Sequence, residues 1–263
     1  MFDIVERLSG RSSAVLLGVV GLTQMEVGRN VSPVSEPGLR RDAAATVHAG
    51  EVFKATTVRS WVREMASNVS ARRDYLTQLD AAIGDADHGV NMDRGFAAAI
   101  EALGSLEAAG PGRLLRVVGD TLILRVGGAA GPLYGSAFRA AGASLGAARS
   151  FDGEALLLAV RSALAAIQQL GAAIEGDKTI VDAWAPAIAA IERELRNGGS
   201  AAGACERAAE SAAEGARMTV PMQARKGRAS YLGPRSVGHQ DPGATSTAML
   251  FEALARAVRD LPT

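Results

Sequence analysis

The sequence predicts an all-α protein, and three observations carry that reading. Apolar residues recur at three- and four-residue spacings over most of the chain after residue 50. No segment shows the β-branched alternation of a strand. Hydrophobic residues reach 48% while aromatics are only 4%, so Ala, Leu and Val must fill the core, and small side chains let helices approach closely.

Residues 1–50 read as an N-terminal extension and linker. AVLLGVVGL, Ala14 to Leu22, is too short to cross a bilayer. Asp3, Glu6 and the lack of a small-residue cleavage site count against a secretory leader. NVSPVSEPGLRRD, Asn30 to Asp42, has the Pro, Gly, Ser and charge of a linker, and Met25 is a candidate alternative start. The folded domain is expected over 51–263. There TTVRSWVREMASNVSARRDYLTQLDAAI sets Val58, Trp61, Val62, Met65, Val69, Tyr75, Leu76 and Leu79 along one helical stripe. Further helices are expected near 90–107, 112–126, 132–149, 153–173, 179–197, 199–217 and 243–261, about eight in all. The breaks between them are GDADHG, GGAAG, GDKT, NGGS and a long segment from Pro221 to Gly243.

Charge and cysteine usage exclude several functions. Lys plus Arg is 28 and Asp plus Glu is 28, so no overall field recruits nucleic acid or an anionic membrane. Cys205 stands alone, which rules out an intrachain disulfide and two-thiol metal motifs and fits a reducing cytoplasm.

Against this neutral background, LDAAIGDADHGVNMDRGF, residues 79–96, concentrates charge. Asp85 and Asp87 point the same way if the backbone between them is extended, and Asp80 lies one tight turn away. Three carboxylates so close raise one another's pKa unless a cation compensates. Hard oxygen ligands favour Mg²⁺ or Ca²⁺. An EF-hand fails because Gly89 and Phe96 stand where acids are needed, which leaves Mg²⁺ beside a phosphate as the better fit. Helix capping accounts for one aspartate, not three. His88 is read either as a turn residue or as a contact to bound phosphate or nucleotide, and the helix start after Gly89 offers N–H groups to an anion.

GGAAG, Gly127 to Gly131, reads as a second helix start facing a phosphate, or as a tight helix–helix turn. GAAIEGDKT, Gly171 to Thr179, nearly spells a phosphate loop, but Asp177 intrudes and no strand precedes it, so that reading is rejected. Thr179 and Asp182 instead have capping-box spacing. The 22 residues from Pro221 to Pro242 carry Arg225, Lys226, Arg228 and Arg235, a cationic loop too long to be idle. Asp241 and Pro242 suit an N-cap and a first helical position. Together these parts point to phosphoryl transfer, where positioning and charge neutralisation do most of the catalysis.

With GDADHGVNMDRGF, GGAAGPLYGSAF, GDKTIVDAW and RKGRASYLGPRSVGHQDPGATS in order, residues 52–263 resemble the nucleotide-binding L subunits of dihydroxyacetone kinases. The resemblance implies a closed barrel of eight antiparallel helices with ADP or ATP at one end. It implies two Mg²⁺ ions on Asp80, Asp85 and Asp87. Nucleotide contacts would come from His88, Asn91, Met92, Ala129, Ala130, Gly171, Ile180 (where the family usually has Met), Arg228, Asp241 and Gly243. Many relatives carry Ser at Ala130, a lost donor worth about 1.5–3 kcal/mol. The resemblance also implies a homodimer working with a separate K subunit that holds dihydroxyacetone on a histidine. A third, M-type protein would rephosphorylate bound ADP in a phosphoenolpyruvate-dependent relay. The alternatives are a nucleotide-sensing subunit docked on a transcription regulator and an ATP-dependent kinase subunit for a related ketose.

Overall fold

The computed structural model describes residues 51–259, and in them each glycine-rich break of the sequence falls at a junction between helices. The extension 1–50, with its apolar run and linker, and residues 260–263 lie outside the described residues. Among the described residues nine α-helices follow one another: α1 (Ala55–Ala71), α2 (Arg73–Ile83), α3 (His88–Gly104), α4 (Pro111–Arg125), α5 (Ala130–Leu145), α6 (Gly153–Gly171), α7 (Val181–Arg196), α8 (Ala201–Met218) and α9 (Pro242–Arg259). A 3-10 segment, Arg228–Ser236, lies between the last two.

The first expected helix is in fact two. The chain leaves helical geometry at Arg72 (φ −117°, ψ 19°), whose N–H turns back to the carbonyls of Asn68 and Val69 while its guanidinium pairs with Glu252 of α9 at 2.7 Å. Leu76 stays buried past the break but Tyr75 turns to solvent. The redirected α2 packs on α3, α9 and the 3-10 segment. A two-residue antiparallel ladder, β1 (Phe53–Lys54) with β2 (Ser150–Phe151), is the other departure. It is too short to show alternation, and the Phe53 and Phe151 rings hold it, 5.3 Å apart.

Several helix ends follow from local chemistry. The Asp152 carboxylate accepts the Ala155 N–H ahead of α6, and the Ser200 hydroxyl accepts the Gly203 N–H ahead of α8. Gly146 ends α5 with φ +56°, a left-handed conformation that glycine adopts without strain.

α1 packs on α3 and α9, and successive helices from α3 to α9 pack on one another. The Phe138 ring meets Trp61 at a tilt and Phe96 edge-on in one part of the core, and Trp184 meets Phe251 edge to face with ring centres 5.0 Å apart in another. Cys205 is fully buried in α8, and burial pushes its thiol up to about 12. Among the described residues no helix is long and apolar enough to cross a membrane.

α4 and α5 touch backbone to backbone. Gly112 and Gly119 on one helix, and Gly135 and Gly142 on the other, are seven residues apart and so share a face. A Cβ on Gly119 would stand 2.6 Å from the Gly135 carbonyl oxygen, and one on Gly142 2.5 Å from that of Gly112. Backbone cannot yield as a flexible side chain can. Gly119→Ala is therefore expected to cost about 1–3 kcal/mol by overpacking, more than the roughly 0.5–1 kcal/mol that alanine gains in a helix. Urea unfolding followed by circular dichroism checks this.

Candidate functional site

A cavity of about 480 Å³ opens where the α2–α3 turn, the starts of α5 and α9, the α6–α7 connection and the 3-10 segment meet. Of the residues singled out in the sequence, Asp80, Asp85, Asp87, His88, Ala129, Ala130, Gly171, Ile180, Arg228, Asp241 and Gly243 line it.

The acidic turn is built around Asp80, which is buried near the end of α2. Its Oδ2 accepts the N–H of Asp87 at 2.9 Å and of His88 at 3.2 Å. One carboxylate thus satisfies donors that the start of α3 would otherwise leave bare. The anion site expected after Gly89 is partly taken up one residue earlier, by the protein's own acid. Gly84 makes room for this, since a Cβ there would lie 2.0 Å from Asp80 Oδ1. The backbone between Asp85 and Asp87 is not extended: Ala86 is left-handed, φ +63°. A turn, not strand alternation, gathers the carboxylates. Oxygens of Asp80, Asp85 and Asp87 all come within 4.8 Å of one another, and Arg228 pairs with Asp85 at 3.0 Å. Three clustered hard oxygen donors, two of the residues solvent-exposed, suit a hydrated Mg²⁺.

His88 Nε2 bonds Ser246 Oγ at 2.9 Å, and Tyr134 OH bonds Ser246 Oγ at 2.7 Å and Thr247 Oγ1 at 2.9 Å. Burial holds His88 below its usual pKa against the pull of Asp80, Asp87 and Asp85, and burial raises that of Tyr134. Also lining the cavity, α5 begins at Ala130 with no side-chain cap, so its first N–H groups are free for an anion. Gly128 bends the chain into it with φ +64°. Leu133, Ile167, Leu170 and Ile180 supply an apolar wall.

Asn91 and Met92 do not line the cavity. Met92 is fully buried in the core. Asn91 stands behind the glycine break, where a Cβ on Gly127 would come within 2.9 Å of its amide. Its oxygen accepts from Arg94 at 2.7 Å, and Arg94 also donates to the Arg125 carbonyl at the end of α4.

Asp241 caps α9 by accepting the Ala244 N–H at 2.7 Å. Burial pushes its pKa up to about 7, although that hydrogen bond and Lys178 pull it down. The Asp182 carboxylate returns to the N–H groups of Thr179 and Gly176, in keeping with the capping spacing. Lys178 itself lines the cavity while being 1% exposed. Neither its burial nor the Tyr134–Ser246–Thr247 cluster left a signal in the sequence, because their partners lie far along the chain.

A family model described as the DAK2 domain matches residues 82–256. The chain is 41% identical over 205 residues to the ADP-binding subunit DhaL of a PEP-dependent dihydroxyacetone kinase from Escherichia coli, covering 78% of this chain and 98% of that one. It is 38% identical to a D-erythrulose kinase of Mycolicibacterium smegmatis, but spans only 34% of that protein. The crystal structure of the dihydroxyacetone kinase from C. freundii in complex with AMP-PNP and Mg²⁺ superposes with a TM-score of 0.58 at 27% identity, covering 86% of this chain and 38% of that one.

The Asp241 shift predicts a pH dependence. Its folded pKa, about 7, exceeds the unfolded value of about 4. Stability from this group is full at acid pH and is lost as pH rises through 7. Asp241→Asn keeps an acceptor for Ala244 and cannot ionise. In nucleotide- and metal-free protein its stability should gain on the parent's as pH rises from about 4 to 7, by at most about 1.4 kcal/mol per pH unit, and its melting temperature should rise with it. Calorimetric scans across that range test this; parallel curves would contradict it.

Proposed function

The chain belongs to the DAK2 domain family, and on that premise we propose that it is the ADP-binding subunit of a phosphoenolpyruvate-dependent dihydroxyacetone kinase. Near-complete coverage of the E. coli subunit supports that activity. The observation that carries it is the convergence of three carboxylates on a cavity that an uncapped helix start also lines.

Asp80, Asp85 and Asp87 hold two Mg²⁺ ions in this reading. Mg²⁺ supplies positive charge to the phosphoryl oxygens as they transfer. The N–H groups of Ala130 and Gly131 donate to the phosphates at the positive end of α5, and the backbone does so without the hydroxyl that a serine at 130 would add. The apolar wall of Leu133, Ile167, Leu170 and Ile180 takes the base. Arg228 and Lys226 lie at the mouth, placed to meet phosphate charge as it approaches. His88, braced by Ser246, orients the nucleotide, and Asn91 acts from behind by holding Gly127.

Residues 51–263 form the kinase domain, after an extension at 1–50. The pairings of α1 with α3, of α3 through α9 in turn, and of α9 with α1 support a closed barrel of eight antiparallel helices, with α2 set beside it. The subunit is a cytoplasmic homodimer that works with a K-type partner presenting dihydroxyacetone and an M-type phosphoryl donor. Similarity to a D-erythrulose kinase favours one second reading, in which the acceptor is a four-carbon ketose.

Titration calorimetry with ADP, with Mg²⁺ or chelator, tests the site. Chelation, or Asp85→Asn with Asp87→Asn, should weaken ADP by at least about 100-fold, since each charged contact is worth about 1.5–3 kcal/mol and tenfold is 1.4 kcal/mol. Unchanged affinity would remove the basis for the proposal. Mass spectrometry of protein purified without nucleotide should find retained ADP. Mixing with a K subunit and either ATP or a phosphoenolpyruvate relay then identifies donor and acceptor.

A further inference from the structure

Lys178 lines the cavity from a buried position. It is among the largest fully buried side chains, and its backbone is left-handed, φ +61°, which a long L side chain seldom adopts. Its ammonium donates to the carbonyl of Thr219, just past the end of α8, at 2.7 Å, and to the carbonyl of His239, just before α9. Those carbonyls stand on the two sides of the long loop that joins α8 to α9.

The same neck is tied elsewhere. Gly238 N–H reaches the Val220 carbonyl at 2.8 Å, Asp241 N–H reaches Thr219 Oγ1 at 2.9 Å, and Arg225 N–H reaches the Asp177 carbonyl at 3.0 Å. The loop gathered above this neck carries Lys226 and Arg228, both of which line the cavity. An ammonium suits the position because it offers several donors and accepts nothing. It also sits against the negative end of the α8 dipole.

We propose that Lys178 is a positioning residue: it cross-ties the two ends of the 220–239 loop and thereby holds Arg228 and Lys226 over the acidic turn. What the loop covers rests on reading the cavity as a nucleotide site. The tie itself needs no ligand.

The loop contains four trypsin sites, at Arg225, Lys226, Arg228 and Arg235, so its opening can be read directly. Full-length, nucleotide-free protein is compared with Lys178→Met, which keeps length and loses the donors, and Thr219→Val, which loses the hydroxyl's bonds to the Asp241 N–H and to the Ala216 carbonyl within α8. Limited trypsin digestion is mapped by mass spectrometry. Cleavage follows the population of the opened segment. Lys178→Met should be cut about tenfold faster at the four loop sites, and Thr219→Val more modestly at the same sites. Cutting at Arg63 in α1 and Arg207 in α8 should keep the parent rate. Loop cleavage at the parent rate in Lys178→Met overturns the proposal, and does so also if ADP affinity falls, since Lys178 would then act on the ligand directly. If Lys178→Met is cut faster everywhere, Thr219→Val decides: acceleration confined to the loop supports the tie, and any other pattern overturns it. Failure of the parent protein to bind ADP with Mg²⁺ would remove the nucleotide reading and leave this result standing.

Discussion

The site depends on one hydrogen-bonded carboxylate. Asp80 ends one helix and satisfies the first donors of the next from seven residues away. It therefore fixes the angle between α2 and α3 and at the same time presents charge to the cavity. A helix start normally recruits a side chain from its own first residue or a ligand from outside. Here the cap and the candidate metal-ligand set share a residue, so local folding and the proposed cation site are inseparable.

The remaining charges follow from that arrangement. Asp85 and Asp87 cannot both sit beside Asp80 without a counter-charge, and the loop before α9 supplies one in Arg228. The guanidinium partly offsets the cluster and leaves oxygens free for a hard cation. Glycines permit the crowding: Gly84 lets Asp80 approach its own turn, and Gly127 lets the α4–α5 break lie against Asn91. Farther from the cavity, glycine faces on α4 and α5 keep those helices close, which holds the start of α5 where the acidic turn needs it.

Much of this was legible in the sequence because its signals are local. Apolar spacing located helices from α3 onward to within a few residues, and the glycine-rich breaks marked the junctions that build the cavity. The three aspartates were legible for a related reason: like charges on one short stretch require compensation wherever the chain folds. The break at Arg72 was not, because it depends on Glu252 on a distant helix, and the apolar stripe runs through it unaltered. The geometry of the acidic turn was also hidden. A left-handed alanine leaves no mark in composition, and an extended backbone serves the same i, i+2 pair equally well on paper. Lys178 shows the limit most clearly. Its short motif nearly spells a phosphate loop, a reading that Asp177 and the missing strand exclude, and nothing in it foretells that the fold buries the side chain against carbonyls that follow it by 41 and 61 positions.

The burial of Cys205 has a practical side. With its thiol shut inside α8 and held far from the thiolate form, the chain's single cysteine is poorly placed to react with maleimides or nitroxide reagents at neutral pH. A cysteine introduced at exposed Tyr231, beside Arg228 on the 3-10 segment, would be the one readily labelled position. The protein thus comes with a silent background for fluorescent or spin probes on the segment that overhangs its cavity.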